Sequence, residues 1–173
     1  MRIVTEAQVL NNSKIILRRF RESDLDQLIR VTSDQEVMEH IGGPMTSSET
    51  KSYLSELIQN EDNSEAMFAL VYKPTMEFAG FAGFAHNGSP YPGIHVAIMK
   101  QFQRKGLAKE AFKFFTNYSR NVLKKTTVIA YIKSGNRTAK KVLRKMDFKF
   151  KKFEFKSGRS HELYEFSPSF LMN

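Results

Sequence analysis

A strand that runs into a glycine turn and then a long amphipathic helix is the feature that most restricts how this chain can fold. Ile94 to Met99 reads as the strand and Gln103-Arg-Lys-Gly-Leu-Ala108 as the turn. The helix that follows carries Leu107, Ala111, Phe114, Phe115, Tyr118 and Val122 on one stripe, the spacing of a helix laid on a sheet. The first amides of such a helix lack intrahelical acceptors and the helix dipole adds partial positive charge, so phosphate is the natural ligand there. Gly106 permits close approach of the backbone, Ala108 keeps the next turn small, and Arg104, Lys105 and Lys109 surround the turn with positive charge. On spacing alone, a basic helix start with one glycine also occurs with no ligand.

The rest of the chain alternates in kind around this unit. Lys14 to Phe20 predicts a strand, and Ser23 and Asp24 are N-cap candidates for a helix with Leu25, Leu28 and Ile29 on its apolar face. After Gly42-Gly43-Pro44, Thr46 and Glu49 have the spacing of a capping box, and Tyr53, Leu54, Leu57 and Ile58 make the apolar face of a second helix. Met67 to Tyr72 and Phe78 to Phe84 predict an antiparallel hairpin turning at Lys73-Pro74. Thr126 to Lys133 predicts a further strand, Asn136 caps a helix burying Ala139, Val142, Leu143 and Met146, and Phe148 to Lys156 and His161 to Phe166 form a last hairpin around Ser157-Gly158. In that hairpin Phe148, Phe150, Phe153 and Phe155 interleave with lysines, which predicts a strand burying one face. The repeat Phe78-Ala-Gly-Phe-Ala-Gly-Phe84 implies only that small residues crowd a sheet.

At 173 residues, 41% hydrophobic and 26% charged, the chain is expected to be one globular domain over residues 1–173. No apolar run reaches the length of a membrane span, and Met1 to Leu10 lacks the apolar core of a signal peptide, so a cytoplasmic protein without membrane association is expected. There is no cysteine, and His40, His86, His95 and His161 lack ligand spacing, so no metal is expected. The net charge of +9 is unevenly spread. Residues 100–159 hold 19 of the 27 basic side chains and 3 of the 18 acidic ones, whereas residues 1–99 carry 13 acidic and 8 basic. A basic half of this kind serves a polyanion or solubility.

The turn Gln103, Gly106, Ala108 resembles the Q/R-x-x-G-x-G/A pyrophosphate loop of the GNAT N-acetyltransferases, and the order of elements is similar over nearly the whole chain. The opening strand Ile16-Leu-Arg-Arg-Phe20 and a helix starting near Asp24 look most like the branch that acetylates ribosomal-protein N-termini and small amines. The resemblance implies an α/β (α+β) fold with a mixed, mostly antiparallel seven-stranded sheet, splayed centrally, and flanking helices. It implies acetyl-coenzyme A as cosubstrate, without a metal, held by the backbone of Ala97, Ile98 and Met99 and by Gln103, Arg104, Lys105, Gly106, Leu107, Ala108 and Lys109. Asn136 matches the family's asparagine after the next strand, although it would serve equally as a plain helix cap. Lys145-Met-Asp-Phe148 matches Lys-x-Gly-Phe, with Asp147 in place of glycine.

The resemblance supplies no catalytic residue. The family's frequent tyrosine acid falls on Leu143, the serine of the ribosomal branch on Ala139, and the glutamate base on Tyr131. From chemistry and expected location, Tyr131, Ser134 and His95 are the candidate catalytic residues, since each lies on or beside the strands flanking the thioester; His95 titrates in the useful range but serves equally as a packed strand residue. Glu39 and His40, ending the first helix, are candidates for the amine pocket. The charge segregation predicts a cationic acceptor drawn by Glu36, Glu39 and Glu49, with a ribosomal protein as one possible partner and a monomer or homodimer as the assembly. The alternative readings are a ribosome- or nucleic-acid-associated binding protein and a coenzyme A-binding regulator without transfer.

Overall fold

The computed structural model describes residues 8–9, 13–39, 41–60, 65–85, 88–156 and 158–167. Its sheet has the order β1-β2-β3-β4-β5-β6-β8-β7. The seven strands legible in the sequence are β2 (Ile15–Arg18), β3 (Met67–Tyr72), β4 (Glu77–Ala85), β5 (Gly93–Ile98), β6 (Val128–Lys133), β7 (Lys149–Lys156) and β8 (Arg159–Phe166), and a two-residue strand β1 (Gln8–Val9) adds to the edge at β2. Every neighbouring pair is antiparallel except β5 and β6.

Helices cover both faces, and two phenylalanines show how. Phe81 and Phe84 stand three residues apart on β4 and therefore point to opposite sides. Phe81 meets Tyr53 of α3 (Ser47–Gln59) with ring centroids 6.5 Å apart, and Phe84 meets Phe115 of α4 (Leu107–Asn121) at 5.1 Å. The apolar stripe of α4 is buried as its periodicity predicts, with Leu107, Ala111, Phe114, Phe115 and Tyr118 all in the core. On the other face α1 (Leu25–Thr32) is locked to α3 by a hydrogen bond of 2.6 Å between the buried hydroxyls of Thr32 and Thr50, in which one donates to the other and the second gives its own proton to the carbonyl four residues before it, Leu28 O or Thr46 O.

Two local readings change. The first helix does not continue to residue 40: Asp34 starts a separate short helix, α2 (Gln35–Met38), by accepting the Glu36 and Val37 amides on Oδ1. Asp24 occupies the N-cap position of α1 as expected but makes no side-chain cap there, because its carboxylate takes both guanidinium nitrogens of Arg18 at 2.7 Å and the Arg21 amide at 2.9 Å. The capping box of α3 forms as predicted: the Glu49 carboxylate accepts from the Thr46 amide at 2.7 Å, and this hydrogen bond holds the carboxyl below the usual carboxylate range.

Crowding explains the small residues of β4. Ala79 is skipped in the β3–β4 register, and a Cβ on Gly80, at φ +148°, would collide with the Ala97 carbonyl oxygen. Gly80 thereby lets β5 lie close at its Ala97–Ile98 end.

The last helix, α5 (Arg137–Lys145), starts at Asn136, whose Oδ1 accepts the Ala139 amide at 2.9 Å. It ends in a Schellman arrangement in which Phe148 N–H donates to Leu143 O and Asp147 N–H to Arg144 O. Asp147 takes φ +61°, the left-handed conformation that glycine adopts without penalty, which accounts for the one departure from the Lys-x-Gly-Phe pattern: the geometry is kept and the residue tolerates it. Asp147→Gly is expected to stabilise the fold by about 1 kcal/mol in urea unfolding; an unchanged or lowered midpoint would show that the aspartate is not strained there.

Candidate active site

The site is built on a divergence. β5 and β6 are parallel and share one register pair, Gly93 with Ile129, supported by the Ile129 amide donating to Pro92 O at 3.0 Å. From Ile94 onward β5 is paired only on its β4 side, with six register pairs from Gly80–Ile98 to Ala85–Gly93. Its other edge, toward β6, is left without a ladder, and such backbone groups require a partner. One is satisfied locally: the Gln103 side-chain Nε2 donates to Ile98 O at 3.0 Å, tying the turn to the strand end.

That turn carries two left-handed residues, Arg104 at φ +60° and Gly106 at φ +87°. Gly106 is the N-cap of α4 and brings no side chain to it, so the first-turn amides have no cap; the first helical bond runs from Glu110 N to Gly106 O. Arg104 and Lys109 are exposed beside this positive end. Lys105 is held differently from the free cation its position suggests, with its ammonium 4.8 Å from the Tyr72 ring centre and 5.5 Å from that of Phe102. Glu110, one turn into α4, accepts from Ser13 Oγ and the Lys14 amide and so fixes the start of β2 against the helix.

The register settles which candidate side chains share a face. His95 and Ala97 are paired with Gly83 and Phe81, and Ile129 with Gly93, so His95 on β5 and Tyr131 and Lys133 on β6 all point to the side covered by α1 to α3. His95 and Tyr131 thus stand on opposite walls of the cleft and on one face. His95 is partly buried, and loss of hydration lowers its pKa from the ordinary 6.5, so the imidazole is neutral at neutral pH. Ser134 lies past the end of β6, and its hydroxyl is bonded to Ser160, 2.9 Å from Oγ and 3.2 Å from the carbonyl oxygen.

On the same face α2 bridges the ends of the two diverging strands. Lys100, just beyond β5, pairs with Asp34 at 3.3 Å and Glu36 at 3.1 Å, and Lys133, ending β6, pairs with Glu39 at 3.2 Å. Burial pushes the Asp34 carboxyl up, but hydrogen bonds from the Val37 amide, Lys100 and the Glu36 amide outweigh it and hold the carboxyl below its usual range. These pairs correct the expectation that Glu36, Glu39 and Glu49 stand ready to attract a cation: Glu36 and Glu39 are paired with lysines from the basic half, and Glu49 closes its own capping box. His40 lies outside the described residues. The lysines were invisible in the sequence because ion pairs 64 or more residues apart follow no local spacing. Tyr53 was legible only as packing, yet burial and the charge of Glu56 push its phenol up to about 12, so it stays protonated beside Phe81. Leu143 is fully buried in the core, so the position of the family's tyrosine acid is occupied by packing. Among the described residues no group of three or more His, Asp or Glu is placed to hold a metal ion, and no helix is long and apolar enough to cross a membrane.

Residues 14–149 match the family model described as acetyltransferase (GNAT) domain, and the chain belongs to that family. It is an acetyltransferase domain with the open, splayed sheet of the GNAT fold. Similar solved structures include a GNAT-family acetyltransferase from Bacillus anthracis (TM-score 0.78, 19% identity, 90% of this chain and 95% of that one). Others are the ribosomal-protein-S5-alanine acetyltransferase from Vibrio fischeri (0.75, 15%, 93% and 97%) and RimL, a ribosomal L7/L12 alpha-N-protein acetyltransferase in complex with coenzyme A (0.77, 17%, 94% and 98%).

The neutral burial of His95 has a thermodynamic consequence. The unfolded chain binds a proton at the ordinary pKa and the folded chain only at a lower one, so stability falls as pH drops through 6.5 toward the folded value. His95→Gln is expected to flatten the melting temperature between pH 7.5 and 5.5 relative to wild type; an identical slope in both proteins would show that His95 is solvated when charged.

Proposed function

We propose that the chain acetylates an amino group, that of a protein N-terminus or a small amine, by direct attack while acetyl-coenzyme A and acceptor are both bound. The observation that carries this reading is the unpaired edge of β5 opening toward an uncapped helix start. The residues present suit coenzyme A: the strand end Ala97, Ile98 and Met99 is assigned to its amide-bearing chain, with the Ile98 carbonyl already held by Gln103 and the Met99 amide and carbonyl by Ala79 and Phe102, and the first-turn amides of α4 behind Gly106 suit a pyrophosphate. Gln103 steadies the turn, Arg104 and Lys109 supply charge, Leu107 anchors the helix start in the core, and Ala108 leaves room beside it. Asn136, already the cap of α5, lies just beyond the end of β6 and is assigned the second wall.

Bound acetyl-coenzyme A supplies a thioester whose acyl group passes to the amine nitrogen, so the protein must take one proton from the amine and deliver one to the departing thiolate. We assign the first task to His95, whose neutral imidazole faces the acceptor side, and the second to the Tyr131 phenol on the opposite wall. Ser134, bonded to Ser160, is the remaining candidate donor. Glu39, with its partner Lys133, and His40 are assigned to the acceptor pocket. The ribosomal-protein acetyltransferases among the similar structures support a protein N-terminus as acceptor, and with it a ribosomal protein as partner.

Acetyl-coenzyme A at a hundred times its Kd is expected to add about 2.7 kcal/mol of stability, read as a raised Tm; Gly106→Glu, which drives a carboxylate into the phosphate position, should abolish the shift. No shift in wild type, or a full shift in the variant, would put the cosubstrate elsewhere. Asn136→Ala should cost about 1 kcal/mol as a lost cap and in addition weaken coenzyme A binding; loss of stability with unchanged affinity would reduce the residue to a cap. In a thiol-release assay against a panel of N-terminal peptides and small amines, His95→Gln and Tyr131→Phe are each expected to lower kcat about 10²-fold or more with little change in KM. Unchanged kcat in both would remove them from the chemistry.

A further inference from the structure

The edge hairpin departs from its sequence pattern in a way that acyl transfer does not use. Its phenylalanines were expected to bury one face, and only Phe148 does, at 2% exposure; Phe150, Phe153 and Phe155 are 46%, 65% and 76% exposed. The reason is length. The nine residues of α5 cover about 13 Å, whereas the eight residues of β7 run about 26 Å, so the hairpin extends past the helix that would cover it. A bulge between Phe150 and Lys152 restores the alternation and keeps all three rings on one face, with Phe150 and Phe153 5.0 Å apart.

That face is the one on which α5 lies. Phe150 packs against Tyr164 at 5.9 Å, Phe153 is paired with Glu162, and the Glu162 carboxylate accepts from both Tyr164 and Lys140 of α5. Lys140, turned in toward Glu162, also lines an open groove of about 530 Å³ along α5, whose lining is cationic throughout and includes Arg137, Lys141 and Lys145. These three have no ion-pair partner among the described residues. An aromatic strip and a cationic helix face therefore lie side by side on one face of the sheet, with the buried Glu162 and Tyr164 between them. A second copy of the chain does not suit this edge, since an antiparallel β7–β7 pairing would set the lysines of Lys149-Phe-Lys-Lys-Phe-Glu-Phe-Lys156 against one another. An acidic peptide would meet the cations but carries no flat apolar group with each charge to cover the rings. A nucleic-acid strand carries both in every residue.

We propose that the Phe150, Phe153 and Phe155 strip and the adjoining cationic face of α5 form a docking surface for single-stranded nucleic acid, with bases stacked on the rings and phosphates along the helix. The test is fluorescence anisotropy with a fluorescein-labelled 12-nucleotide oligouridylate and the full chain. Binding should weaken roughly 20-fold between 50 and 200 mM salt if three phosphates are neutralised. Phe153→Ala/Phe155→Ala should weaken it at least tenfold with an unchanged Tm, Phe153→Tyr/Phe155→Tyr should retain it, and Lys141→Gln/Lys145→Gln should lower both affinity and salt slope. Absence of binding at 50 mM salt, indifference to the alanine pair, equal affinity for a duplex or a 12-residue oligoglutamate, or displacement by saturating coenzyme A would each overturn the proposal.

Discussion

Everything functional in this molecule depends on two parallel strands that meet at one residue pair and then part. Gly93 and Ile129 hold β5 and β6 together, and beyond them the backbone edge of β5 has no strand to bond. A buried sheet does not ordinarily tolerate such an edge, because unpaired amides and carbonyls cost about as much as lost hydrogen bonds. Here the opening is enforced from both sides. On the β4 side, six register pairs and the missing side chain of Gly80 draw β5 away from β6; on the far side, six pairs with β8 hold β6 to the C-terminal hairpin. Helix α4, buried against Phe68 and Phe84 through Phe115, fixes the uncapped N-terminus at the end of β5.

Charge is organised around the same opening. The acidic N-terminal and basic C-terminal halves meet across it, in the Lys100 pairs with Asp34 and Glu36 and in the Lys133 pair with Glu39, which pin α2 to the ends of both strands. These are exposed or half-exposed pairs, each worth little in stability. Their consequence is positional: they fix α2 across the ends of the two diverging strands, and they neutralise carboxylates that the bulk charge balance would leave free.

What could be read in the sequence follows from the range of the interaction involved. The α4 stripe, the Thr46–Glu49 capping box, the Asn136 cap and the seven main strands all express periodicities or spacings of a few residues, and they appear where the pattern puts them. The glycine turn was legible for the same reason, and the positive φ of Gly106 is its structural counterpart. The break between α1 and α2 was missed because Asp34 had to be recognised as a cap within an otherwise helical run. The ion pairs of α2 are long-range and leave no local trace. The exposure of Phe153 and Phe155 was misread because alternation marks a strand face without saying whether anything is long enough to cover it.

If the open edge of β5 and the start of α4 together hold the acyl donor, as proposed, their backbone amides should respond to it. Amide hydrogen exchange with and without acetyl-coenzyme A tests this most directly, because it reads the backbone groups themselves. Slowed exchange confined chiefly to residues 94–99 and 106–110 is expected when the cosubstrate is bound. Binding with unchanged exchange in both segments, and protection elsewhere, would contradict it.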